Sequence, residues 1–228
     1  MLYIDVLTLF PEVFSGVLAS SILKRAQEKK ALEVHLNHLR QWSTDAHQTV
    51  DDRPYGGGPG MVLMVEPIYK AVQELKAQAA SPTKVILLSP QGKTFSQAQA
   101  NKLSQEKHII LICGHYEGVD ERVVENLVDE ELSIGDYVLT GGELPALVVI
   151  DAVARLLPGV LTKEEATRQE SFQQNRLDYP QYTRPEVFQG WEVPKILLSG
   201  NHQQVDQWRQ EKAMEKTKEL RPDLLETD

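Results

Sequence analysis

The chain of 228 residues has one cysteine, Cys113. That excludes an internal disulfide and fits a reducing cytosol. No apolar run reaches the roughly 18 residues a membrane-spanning helix needs, so a cytoplasmic protein with no membrane partner is expected. The opening stretch "MLYIDVLTLF" lacks a basic leader and a small-residue cleavage site, so no signal peptide is expected. Basic side chains are outnumbered, 24 Lys and Arg against 33 Asp and Glu, for a net charge of −9. This argues against indiscriminate nucleic-acid binding but leaves room for a local basic groove. No G-x-G-x-x-G follows the first apolar run and no Gly-Lys-Ser/Thr follows the glycine-rich stretch, which argues against a Rossmann dinucleotide site and a P-loop. The six histidines do not cluster at zinc spacing, so no metal site is expected. The 41% of hydrophobic and 25% of charged residues are those of a globular protein with a sizeable core.

Strand and helix patterns alternate from residue 3 to about residue 158. "YIDVLTLF", "EVHLNHL", "KVILL", "HIILIC" and "DYVLT" read as strands. Between them, "PEVFSGVLASSILKRAQEKKAL" reads as one helix with Phe14, Val17, Leu18, Ile22 and Ala26 on a stripe, and "EPIYKAVQELKAQAA", Ser96–Gln105 and "DERVVENLVD" read as three more. "LPALVVIDAVARLLPG" is a nearly all-apolar helix, Leu144–Leu157, expected to be buried in a core or an oligomer interface. The pattern predicts an α/β domain with a mostly parallel sheet over residues 1–161. Polar "TKEEATRQESFQQN" reads as a linker over 162–175. Residues 176–228 read as a small α-helical C-terminal domain, its helix starting after "SGNH", where Ser199 and Asn201 can cap.

"DDRPYGGGPGM", Asp51–Met61, packs four glycines and two prolines into eleven positions and must be a loop. Three further glycine-bearing loops each follow a strand pattern: "SPQG" (Ser89–Gly92), "GHYEG" (Gly114–Gly118) and "IGDYVLTGGELP" (Ile134–Pro145). In open α/β sheets ligands bind beyond the carboxyl ends of strands, so convergence of these loops would make a pocket built largely of backbone N–H and C=O groups. Singly, each is equally an ordinary βα turn.

These blocks, with "IDAVARLLPGVL" and "DYPQYTRPEVFQGWEVPKILLSGNH", resemble the bacterial tRNA (guanine-N1)-methyltransferase family, and the likeness runs from Ile4 to about Leu224. The resemblance implies a SPOUT-class α/β methyltransferase with a deep trefoil knot at the cofactor site. It implies an obligate homodimer whose active site is shared between subunits, and S-adenosylmethionine as methyl donor. It implies methylation of the guanosine immediately 3′ of the tRNA anticodon (position 37), which helps maintain the reading frame. The cofactor set carried over by motif position is Leu88, Ser89, Pro90, Gly114, Tyr116, Glu117, Ile134, Gly135, Asp136, Tyr137, Val138, Leu139, Gly141, Gly142 and Pro145. A Mg2+ requirement stays open, and no cage of carboxylates for it is read from the sequence.

Neutral guanine N1 carries a proton, so methylation at N1 needs a base and a donor to the charge developing on O6. The resemblance places the carboxylate of "RQESF", Glu170, in the first role and Arg155 in the second. Glu170 departs from the family's aspartate, adding one methylene of reach; His115 stands where the family often has arginine. For tRNA, the resemblance places Asp51, Arg53, Gly57, Gly58 and Gly60 beside the target nucleotide. It places Arg209, on a helix where Lys212, Lys216, Lys218 and Arg221 alternate with acids, against the anticodon stem; composition alone reads that helix as salt-bridged and solvated. Two other readings stand beside this one: a SPOUT enzyme acting at another RNA position, and an RNA-binding module without catalysis.

Overall fold

The computed structural model describes residues 1–161, 170–172 and 175–226. The chain divides into two compact units, Met1–Thr162 and Lys163–Asp228. Most of the predicted linker, 162–169 and 173–174, lies outside the described residues.

The first unit is built on a five-stranded sheet. Its strands are β1 (Leu2–Thr8), β2 (Leu32–His38), β5 (Thr83–Thr94), β6 (His108–Cys113) and β7 (Glu130–Ser133), in the order β2-β1-β6-β5-β7. All pairs are parallel. A separate antiparallel pair, β3 (Asp51–Asp52) and β4 (Val62–Leu63), brackets the glycine-rich loop. Central β6 is buried at every position, as expected of a strand covered on both faces. Because side chains alternate along a strand, Ile109, Leu111 and Cys113 enter one core while Ile110 and Ile112 enter the other. The first core takes the apolar faces of α1 (Glu12–Leu18), α2 (Ser21–Glu28), α4 (Gln97–Leu103) and α6 (Glu143–Ala154). The second takes α3 (Val65–Gln78) and α5 (Glu121–Leu127).

A polar network sits inside the sheet. His108 Nε2 lies 2.7 Å from Asp5 Oδ2, its Nδ1 lies 2.7 Å from Thr83 Oγ1, and Asn37 Nδ2 donates to Asp5 Oδ1 at 2.7 Å. Asp5 and His108 are buried, and these bonds offset the cost of taking them out of water.

The structure corrects several expectations. The single helix expected after Pro11 is two, because Ser20 is extended and Ser21 takes φ 46°; Gln27 Nε2 closes the break by donating to Leu18 O at 2.9 Å. "DYVLT" is not a strand. The last strand of this sheet is β7, "EELS", an acidic edge strand that pairs with β5 alone. The apolar side chains of "DYVLT" are turned outward instead, Val138 being 84% exposed.

In the second unit, α7 (His202–Leu220) starts where Asn201 accepts from Gln204 N–H, and Ser199 supports the cap by accepting from Asn201 N–H. The unit also contains a hairpin, β8 (Val187–Phe188) and β9 (Trp191–Glu192), that the pattern did not show. Its turn residues Gln189 and Gly190 both have positive φ.

Candidate active site

A cleft of about 360 Å³ opens beyond the carboxyl ends of β5, β6 and β7. The "SPQG" loop forms one wall. After Leu88 the chain bulges out and returns at Lys93 to pair with the same residue of β7, Leu132. The "GHYEG" loop forms a second wall and residues 134–142 a third. Every residue of the predicted cofactor set lines this cleft except Asp136.

Backbone approach sets the floor of the cleft. Gly142 N–H donates to Gly114 O at 2.8 Å, and His115 and Gly141 form an antiparallel bridge. A Cβ on Gly142 would lie 2.6 Å from Cys113 Cα and 2.9 Å from Gly114 N, so only glycine fits there. Next to it, Glu143 is buried at the start of α6 and accepts from the Thr8 hydroxyl at 2.7 Å. Burial, and then the Glu143 carboxylate, push the neighbouring Cys113 thiol well above its ordinary range, so it stays protonated and inert.

The predicted cofactor set omits Gln91 and Thr140, which fall in the loops expected to converge, and sequence reasoning missed Glu121, Val124 and Glu131; all five also line the cleft. Glu131 was hidden because β7 was not read as a strand, and Glu121 and Val124 because a helix start gives no sign of what it faces. His115 also lines the cleft, packed against Phe10 at 5.0 Å and edge-on to Tyr116 at 4.8 Å between ring centres. Its Nδ1 is buried without a hydrogen-bond partner. Glu117, Glu121 and Glu131 line the cleft, and among the described residues no lysine or arginine does. Such a wall repels phosphate and suits a neutral or cationic ligand.

The glycine-rich loop borders this cleft. Its tip is open: Tyr55 is fully exposed, and a Cβ on Gly56 or Gly57 would touch nothing within 4 Å. Gly56, Gly57, Gly58 and Gly60 all have positive φ. Its returning end is stitched to the cleft wall, where Glu117 N–H donates to Met61 O at 3.0 Å and Leu63 N–H to Gly118 O at 2.9 Å. Asp51, paired with Leu63, lines a second depression of about 320 Å³ with Asp52, Trp42 and Glu66. Arg53 is exposed at the start of the loop. Nearby, the Ser43 hydroxyl, followed by the hydroxyl and N–H of Thr49, holds the Asp45 carboxyl well below its usual range and braces the chain leading into β3.

Arg155 and Glu170 fall in different units. Arg155 is half-buried and caps the carboxyl end of α6, one turn beyond Asp151 on the helix face that carries Leu144 and Val148. Glu170 is half-buried at the head of a turn in which Ser171 Oγ accepts from Asp178 N–H at 3.0 Å and Phe172 N–H donates to Arg176 O at 2.7 Å. Arg209 stacks over the Tyr179 ring at 4.9 Å and pairs with Asp206 at 3.2 Å. Lys212–Glu215 and Arg221–Asp223 pair likewise, as the composition of this segment suggested. Among the described residues, no group of three or more His, Cys, Asp or Glu is placed to hold a metal ion. No helix among them is long and apolar enough to cross a membrane.

The sequence pattern of the family described as tRNA (Guanine-1)-methyltransferase TrmD matches residues 2–227. The chain belongs to this family. It is 58% identical over 224 residues to the tRNA (guanine-N(1)-)-methyltransferase of Moorella thermoacetica, covering 97% of this chain and 89% of the relative. To the proteins of the same name from Protochlamydia amoebophila and Bacillus subtilis it is 55% and 53% identical over 222 residues, covering 97% of this chain and 99% and 91% of the relatives. The likeness therefore spans both units of this family member.

Proposed function

We propose that the chain transfers a methyl group from S-adenosylmethionine to N1 of the guanosine immediately 3′ of the anticodon of tRNA. The observation that carries this reading is the cleft, glycine-floored and bordered by carboxylates with no basic residue among the described ones, in a chain whose relatives are named tRNA (guanine-N(1)-)-methyltransferase. Such a wall fits a nucleoside with a sulfonium centre better than one with phosphates. Its volume of about 360 Å³ is within the range of small-ligand sites. Backbone groups of Leu88, Gly114, Ile134, Tyr137 and Leu139 would hold the base and ribose, and Gly142 lets the floor close under them. When bound, S-adenosylmethionine supplies an electrophilic methyl on sulfur. Glu170 takes the N1 proton, which turns a poor nucleophile into a good one. Arg155 stabilises the negative charge that spreads to O6. The glycine-rich loop receives the splayed nucleotide, Asp51 accepting from a guanine N–H and Arg53 meeting phosphate.

Three finer features belong to the same reading. The first unit is a SPOUT domain whose deep trefoil knot lies at the cofactor cleft. In support, β5 bulges and returns onto β7, and the chain then passes Cys113 at contact distance before α6 crosses to the opposite side of the sheet. The protein is a homodimer with a shared active site. In support, α1 and α6 leave Val13, Val17, Leu144 and Val148 between 40% and 55% exposed. The second unit is the tRNA-gripping domain, with Arg209 on its contact face.

Gly142→Ala tests the cleft directly. Backbone on either side must move to admit the Cβ, so affinity for S-adenosylmethionine, measured by equilibrium dialysis, is expected to fall by roughly tenfold or more while the far-ultraviolet circular dichroism is kept. Unchanged affinity would mean the cofactor binds elsewhere.

A further inference from the structure

The side chain of Glu117 meets both the cleft and the glycine-rich loop. On one side it lines the cleft; on the other it lies flat against Gly60, where a Cβ would meet Glu117 Cγ at 2.6 Å and Cδ at 2.8 Å. Gly60 also has φ 79°, a backbone conformation that favours glycine, and the Glu117 side chain occupies the place a Cβ would take unless it swings aside. The contact comes at the one point where the glycine-rich loop passes from free to fixed. Beyond it, Met61 and Leu63 are bonded to residues 117–120; before it, Tyr55 is fully exposed, a Cβ on Gly56 or Gly57 would meet nothing within 4 Å, and Gly57 N–H makes only a local turn bond to Pro54 O at 3.3 Å.

Resting on the proposed function, we infer that Gly60 and Glu117 form a latch that couples the cofactor cleft to the glycine-rich loop. A ligand filling the cleft removes the space into which Glu117 could swing and pins its side chain on Gly60. The base of the loop is then held, and less conformational freedom remains for the target nucleotide to remove. Linkage makes the effect reciprocal: tRNA on the loop tightens the cleft by the same factor. Glu117 is thus a positioning residue for the RNA side of the site, acting through a glycine 57 positions earlier in the chain.

The test is the dissociation constant of S-adenosylhomocysteine, which cannot react, measured by calorimetry with and without an unmodified tRNA transcript bearing guanine 3′ of the anticodon. In the full-length chain the transcript is expected to tighten binding roughly 5- to 150-fold. Gly60→Ala, in an exposed loop, and Glu117→Ala, which removes the bridging chain from the other side, should each bring that ratio to within about twofold of one. The double variant should lose no more, because both changes break one contact. A ratio kept in Gly60→Ala, or a ratio of one in the unaltered protein, overturns the latch and leaves the functional reading standing. An unaltered protein that binds neither S-adenosylhomocysteine nor the transcript overturns the functional reading, and the latch with it.

Discussion

Glu170→Gln is expected to lower kcat for guanine methylation by about 10²- to 10⁴-fold, the usual worth of a positioned general base. The amide is isosteric but cannot take the N1 proton. S-adenosylmethionine affinity should stay within about twofold, since among the described residues the cleft is lined by residues 87–145 and not by Glu170. Glu170→Asp separates the chemistry from the reach. If the glutamate places its carboxylate one methylene further along than the family's aspartate, shortening it misplaces the base by about 1 Å and costs up to 10²-fold. Arg155→Ala is expected to cost about 10²- to 10³-fold in kcat, as removal of one donor to a developing oxyanion does. Single-turnover rates with saturating cofactor measure all three. A Glu170→Gln enzyme at the unaltered rate would assign the base to another group, and Glu117, which lies against Gly60 of the loop and lines the cleft, would be tested next.

The second large effect concerns the outward face of α6. Leu144 and Val148 are one turn apart, 55% and 45% exposed, on a helix whose other residues are buried except Asp151 and Ala152. Val13 and Val17 of α1, which packs on α6, extend the apolar surface. Contiguous apolar surface of this kind marks an interface, and the proposed dimer buries it. Leu144→Lys combined with Val148→Asp should give a monomeric mass by light scattering at micromolar concentration, with kcat reduced roughly 10²-fold or more as the shared site is disassembled. A double variant that stays dimeric would move the interface elsewhere, and an active monomer would contradict the shared site.

The outline of the cleft was legible because βα loops at the carboxyl ends of parallel strands converge whatever their sequence. Leu88–Pro90, Gly114–Glu117 and Gly135–Gly142 could therefore be expected together, and apart from Asp136 they line one cleft. The errors have physical causes. "DYVLT" carries β-favouring residues, but Tyr137, Val138 and Leu139 line the cleft and are exposed rather than paired. "EELS" looks like a poor strand, yet an edge position beside β5 tolerates its acids. The break between α1 and α2 turns on the backbone of Ser20 and Ser21, to which a hydrophobic stripe is blind. Long-range pairings were out of reach altogether: Asp5 with His108, Thr8 with Glu143 and Gly60 with Glu117 depend on how distant segments meet. The assignment of a base and an oxyanion donor came from the family resemblance, since neither Arg155 nor Glu170 stands in a pattern that chemistry alone singles out.

The central claim is tested most directly by methyl transfer from labelled S-adenosylmethionine to two unmodified tRNA transcripts that differ only in the base 3′ of the anticodon, guanine in one and adenine in the other. Label on the guanine transcript alone, mapped to N1 of that base, is the result the proposed function predicts. Equal label on both transcripts, or label at another position of the guanine transcript, would contradict it.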